Sequence, residues 1–136
     1  YIRVTTGLSD ANYIEIKDFK HFIEEEKAGN PYNCVFSIKV KSGLFAGYAN
    51  ACEADYKEVK KLAEKLDELI NFKISEFTFT EISYGNSISF IADKFGHIKI
   101  KGNIIHDGDM MTHSLKFEFI AEQTVFSDFI TALRNL

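Results

Sequence analysis

Between Cys34 and Val40 apolar and polar side chains alternate, with Cys34, Phe36, Ile38 and Val40 on one face and Ser37, Lys39 and Lys41 on the other. A period of two is the mark of a half-buried strand. Ser42-Gly43 signals a turn, and residues 45–52 read as the returning strand. Four more strand-like runs follow, at residues 75–82, 87–93, 97–105 and 113–121, separated by Tyr84-Gly85-Asn86, Lys94-Phe95-Gly96 and Asp107-Gly108-Asp109. Connections this short predict antiparallel hairpins, because a parallel pair needs a crossover of about a dozen residues.

After Asp55 the period lengthens to that of a helix. Val59, Leu62, Ala63, Leu66, Leu69 and Ile70 form one stripe, and lysines and acids fill the opposite side. Asp55 with Glu58 three residues on has the spacing of a capping box. A last helix is expected from Thr124 as its N-cap, with Val125, Phe126, Phe129, Ile130, Leu133 and Leu136 on one side. Upstream, Tyr13 to Ile16 reads as a short strand. Phe19, Phe22 and Ile23 behind Asp18 read as a short helix over 19–27, stopped by Gly29-Asn30-Pro31. Residues 1–12 read as a loose polar terminus. Together these elements predict an α+β fold: a single antiparallel sheet of about six strands, with the long central helix and the C-terminal helix packed on one face. Ile98, Ile100, Leu115, Phe117, Phe119, Phe77 and Phe79 belong to the covered face. Residues 1–33 are expected to be an N-terminal extension, and 34–136 the α+β domain.

Composition narrows the classes. The chain has 136 residues, 46% of them apolar, with 13 Phe, one Pro and two Cys, which excludes a disordered tail and a disulfide scaffold. A net charge of −4, from 20 acids and 16 bases, favours basic partners over nucleic acid. Lys39, Lys41, Lys99, Lys101 and Lys116 share the outward parity of their strands, but a sheet that reads RNA sets aromatic rings on that same side, and here the Phe residues have the opposite parity. The expectation is no nucleic acid. No apolar run approaches the ~18–20 residues of a membrane helix, and no charged-then-apolar leader is visible, so no membrane contact and a cytoplasmic location are expected.

The sharpest chemical cluster is His97, His106, Asp107, Asp109 and His113 within one strand–loop–strand segment. Imidazoles and carboxylates are metal ligands and acid–base groups, yet this spacing matches no metal motif and also suits a polar hairpin loop. Cys34 and Cys52 fall opposite each other if the turn centres on Gly43, which admits a disulfide, but two small buried thiols account for them better in a reducing compartment. No catalytic residue, metal or cofactor is therefore expected, and the protein reads as a binding protein rather than an enzyme. Two other readings stay open: a small-ligand or peptide-binding module using the sheet face or an edge strand, and a metal-dependent enzyme built on the His106/Asp107/Asp109 loop.

The run Phe36-Ser37-Ile38-Lys39-Val40-Lys41-Ser42-Gly43-Leu44-Phe45-Ala46-Gly47, followed by the capped helix, resembles the WapI-family immunity proteins. Gly96-His97-Ile98-Lys99-Ile100-Lys101-Gly102, Leu115-Lys116-Phe117-Glu118-Phe119 and Gln123-Thr124 extend the likeness to the end of the chain, with Glu122 where the family has Asp. The resemblance implies a cytoplasmic antidote that neutralises the C-terminal domain of a cognate bacterial toxin, a basic nuclease, by direct contact. It transfers no catalytic or interface residue. A monomer or weak dimer is expected. The acids placed to meet a basic partner are Glu76, Glu81, Asp107 and Asp109, since capping and lysine pairing already explain Asp55, Glu58, Glu64 and Glu68.

Overall fold

Every alternating run becomes an antiparallel hairpin, and the hairpins gather into two sheets rather than one. The computed structural model describes residues 2–5, 11–108 and 111–136. Strands β1 (Ile2–Thr5), β2 (Asn12–His21), β3 (Cys34–Ser42) and β4 (Phe45–Ala54) form the first sheet in the order β1-β2-β3-β4. Strands β5 (Glu76–Thr80), β6 (Ser87–Ala92), β7 (His97–Gly108) and β8 (Met111–Glu122) form the second in the order β5-β6-β7-β8. Helices α1 (Ile23–Lys27), α2 (Tyr56–Ile70) and α3 (Phe126–Arg134) complete an α+β fold. The expected single sheet of about six strands is thus corrected to two sheets of four. The short turns specify pairing only within each meander. Helix α2 separates β4 from β5, and period-two patterning does not say whether two meanders join edge to edge or pack face to face.

Here β4 lies across β7 and β8. A Cβ on Gly47 would sit 2.9 Å from the Ile104 side chain and 3.0 Å from that of Leu115, so the missing side chain permits the approach. One backbone bond, from Ile82 N–H to the Glu53 carbonyl at 2.7 Å, also ties the halves. Val59, Leu62, Ala63, Leu66 and Leu69 of α2 and Phe126, Phe129, Ile130 and Leu133 of α3 are buried in a core shared by both sheets. Phe36 of β3 reaches Phe79 of β5 at 6.3 Å between ring centroids, and Phe90 meets Phe126 edge-on at 81°. Full burial of each large apolar side chain contributes roughly 1.5–3 kcal/mol.

The first sheet carries two bulges, and both face the same place on β3. The β2–β3 register shifts between Lys17 and Lys20, and the β3–β4 register between Phe36 and Ile38. Each bulge has a residue with left-handed backbone, Asp18 at φ 54° and Ala51 at φ 55°. The inward series of β2 therefore runs Ile14, Ile16, Phe19, with a step of three. That step gives Phe19, Phe22 and Ile23 their helical look, and it corrects the expected helix over 19–27: the strand continues to His21 and α1 begins only at Ile23. The loose terminus is corrected as well, since Ile2–Thr5 pairs with β2 and β2 starts at Asn12, while residues 6–10 lie outside the described residues.

Two smaller expectations change. Asp55 does cap α2, but its side chain accepts from the Lys57 N–H at 3.3 Å rather than from Glu58. Thr124 is not an N-cap: it lies inside a 3₁₀ turn, Gln123–Val125, that leads into α3.

Candidate functional site

Of the four acids expected to meet a partner, Glu81 is withdrawn from the surface. It is 1% exposed. One oxygen accepts from the N–H groups of Glu53 (3.0 Å) and Ser83 (2.9 Å); the other accepts from the N–H groups of Tyr84 (2.7 Å) and Asn86 (3.1 Å) and from Asn86 Nδ2 (2.9 Å). Glu81 keeps the parity of Phe77 and Phe79, so the strand aims it inward, where its carboxylate serves as the hub of the β5–β6 turn. Glu76 is exposed and begins β5. Asp107 lies on β7 opposite Thr112, its side chain outside the description, and Asp109 lies outside the described residues.

The second sheet turns an uncovered face outward. Pairing sets its outward residues in rows across the four strands: Glu76, Ile91, Lys99, Ile120; then Thr78, Ser89, Lys101, Glu118; then Thr80, Ser87, Asn103, Lys116. Lys39 and Lys41 belong to the first sheet, so the five lysines do not form one patch. At the Glu76 end the face is apolar with a rim of mixed charge, Glu76, Asp93 and Glu122 standing among Lys73, Lys94 and Lys99. Phe72 is 59% exposed, Ile120 56% and Phe95 73%. Phe72, Glu76 and Asp93 share one depression, and Ile91, Asp93, His97, Lys99 and Ile120 line the next. His97 bridges Asp93 at 3.3 Å and Glu122 at 3.2 Å.

Phe72 is held in an unusual way. Its backbone is left-handed, φ 59°, at the end of α2, where its N–H donates to the Leu69 carbonyl and the Lys73 N–H to that of Glu68. Glycine is the usual occupant of that position, since a bulky side chain there is strained. Folding alone favours a smaller residue, and strain of this kind gathers at functional surfaces. Sequence reasoning missed Phe72; the one signal was a helix ending in Asn71-Phe72-Lys73 without glycine.

Both cysteines are free and buried, and the register places Cys34 opposite Ala54 and Cys52 opposite Phe36, not opposite each other. The turn is centred between Gly43 and Leu44, and the β4 bulge adds a further residue. Burial, then the charge of Glu26, pushes the Cys34 thiol up to about 11; burial, then Glu81, pushes Cys52 up to about 12. Neither is a thiolate nucleophile at neutral pH. His21 is the cross-strand neighbour of Cys34, but its ring stacks on Tyr56 at 3.8 Å and its Nε2 meets Glu26 at 3.0 Å. His106 pairs with His113 and both line a small crevice of about 80 Å³ against β4, where His106 Nδ1 is buried without a partner among the described residues. Among the described residues no group of three or more His, Cys, Asp or Glu is assembled to hold a metal ion.

Fold and surface define an α+β protein of two packed antiparallel meanders, with an open sheet face whose one end is apolar and rimmed by charge of both signs. Comparison with family models, curated proteins and solved structures finds no match to this chain. No described helix is long and apolar enough to cross a membrane.

Proposed function

We propose that the protein is an immunity protein that binds the C-terminal domain of a cognate bacterial toxin, a basic nuclease, in the cytoplasm and neutralises it by direct contact. The observation that carries this reading is Phe72: an exposed aromatic on strained backbone, beside Glu76, at the end of the sheet where Ile120 and Phe95 are also exposed. Exposed aromatic and aliphatic anchors rimmed by charge suit a protein partner. Glu76, Asp93 and Glu122, set among Lys73, Lys94 and Lys99, form that rim, and the net charge of −4 suits a basic partner, steering its approach. The likeness of residues 34–136 to the WapI-family immunity proteins supports the same reading.

The test is co-expression, in a sensitive cell, of the toxin domain encoded beside this gene, with and without this protein. Rescue by the parent, lost in a folded Phe72→Asp, Ile120→Asp variant, is the expected result. Survival independent of this protein, with no complex by gel filtration at micromolar concentration, overturns the reading.

A further inference from the structure

The opposite end of the same sheet face has a different chemistry. At Gly102 strands β6 and β7 close up so tightly that a Cβ would fall 2.1 Å from the Ser87 carbonyl oxygen and 3.0 Å from the Phe117 ring. The close approach coincides with an open depression of about 540 Å³, a volume in the range of small-molecule sites. Gly102 and Phe117 line it together with Ser87, Ser89, Lys101, Asn103, Lys116 and Glu118.

Its polar groups are mostly donors, and most are uncommitted. The Ser89 hydroxyl is bonded to that of Thr78 at 2.7 Å, whereas the side chains of Ser87, Asn103 and Lys116 have no partner among the described residues. Lys101 stands across from Glu118, but that carboxylate is taken by Lys99 at 3.0 Å. The Lys99 ammonium, bonded to it, holds the Glu118 carboxyl below the usual carboxylate range. Two ammonium groups, those of Lys101 and Lys116, therefore line the depression beside one carboxylate that Lys99 of the neighbouring row already neutralises, in a protein whose net charge is −4. Ammonium groups, a hydroxyl and an amide lining one open depression are groups that can donate to a tetrahedral oxyanion.

We propose that this depression is a binding site for phosphate, either free or as the phosphate group of a small phosphorylated molecule. The site is separate from the Phe72 end, and its test does not involve the toxin.

Backbone amide NMR on the intact protein, titrated with inorganic phosphate, glucose 6-phosphate or acetate at fixed ionic strength, decides the matter. Phosphate is expected to give saturable shifts confined to residues 87–89, 101–103 and 116–118, and acetate to give none there. Lys101→Gln with Lys116→Gln should weaken binding at least about ten-fold, and Glu118→Gln should strengthen it about three- to five-fold by removing the opposing charge. These are surface changes, and the unshifted remainder of the spectrum reports that the fold is kept. Tighter binding of glucose 6-phosphate assigns the site to a phosphate ester, and equal binding to the free oxyanion. Shifts that acetate reproduces, that spread over lysines throughout the surface, or that survive the double substitution overturn the proposal.

Discussion

Asn86 grips Glu81 twice through one oxygen, with its backbone N–H at 3.1 Å and its side-chain amide at 2.9 Å, while its own Oδ1 accepts from the Ile105 N–H of β7. The pair thus fastens the β5–β6 turn to the third strand of its sheet. Deleting the carboxylate leaves the buried backbone and side-chain donors of Asn86 with no acceptor, each worth roughly 1–3 kcal/mol, and frees the part-buried N–H groups of Glu53, Ser83 and Tyr84. Glu81→Ala should lower unfolding free energy by about 3 kcal/mol or more, and Glu81→Gln by about 1–3 kcal/mol, in urea titrations. A loss within ~0.5 kcal/mol would mark Glu81 as a surface acid after all.

Two glycines allow a graded comparison. A Cβ at Gly102 meets backbone at 2.1 Å, which cannot yield, whereas at Gly47 its two nearest contacts are the ends of Ile104 and Leu115, which can turn, and the fixed Leu115 Cβ stands further off at 3.1 Å. Gly102→Ala should cost about 3 kcal/mol or more and Gly47→Ala about 1 kcal/mol. The reverse order in thermal or urea unfolding would contradict the packing described.

Strain at the left-handed positions predicts gains. Ala51→Gly and Phe72→Gly should each raise stability by about 0.5–1 kcal/mol, although glycine in a strand or helix ordinarily lowers it. Phe72→Gly should at the same time weaken toxin binding, measured by calorimetry against the purified domain. A variant that gains stability and keeps full affinity would separate Phe72 from the interface.

The thiols predict a pH dependence with a definite sign. An unfolded cysteine ionises near pH 9, while Cys34 and Cys52 hold their protons to about 11 and 12. Above pH 9 the unfolded chain binds fewer protons than the folded one, so stability falls as pH rises toward those values, and below pH 9 these groups contribute no slope. The urea midpoint should drop as pH rises from about 9 toward about 11, with a shallower drop in the Cys34→Ala, Cys52→Ala variant. A thiol reagent at neutral pH should modify neither residue until the chain unfolds.

Much of this fold is legible because period and turn residues agree. The α2 stripe from Val59 to Leu69, its cap at Asp55 and the inward Ile98, Ile100, Phe117 and Phe119 all lie where patterning places them. What patterning misreads has two physical sources. A bulge inserts one residue, so the step from Ile16 to Phe19 looks helical although it lies on a strand. Pairing within a meander is local, so it is silent on how two meanders pack; that depended on Gly47, whose lack of a side chain matters only once β7 and β8 lie over it. For the candidate site, Glu81 carried its own warning in the parity of Phe77 and Phe79. The strain at Phe72 and the committed charge of Glu118 are properties of three-dimensional placement, and no one-dimensional pattern encodes them.

The two bulges opposite Phe36 and Ser37 also act as frame corrections. Removal of Asp18 or Ala51 would shift every later residue of its strand by one place, and with it the side of the sheet to which each belongs. Phe19 and His21 would exchange sides with their neighbours on β2, as would Cys52 and Ala54 on β4, carrying apolar groups into water. Single-residue deletions at these two exposed positions should therefore be far less tolerated than substitution by glycine or asparagine, so that a surface site that accepts a change of side chain is intolerant of a change in chain length.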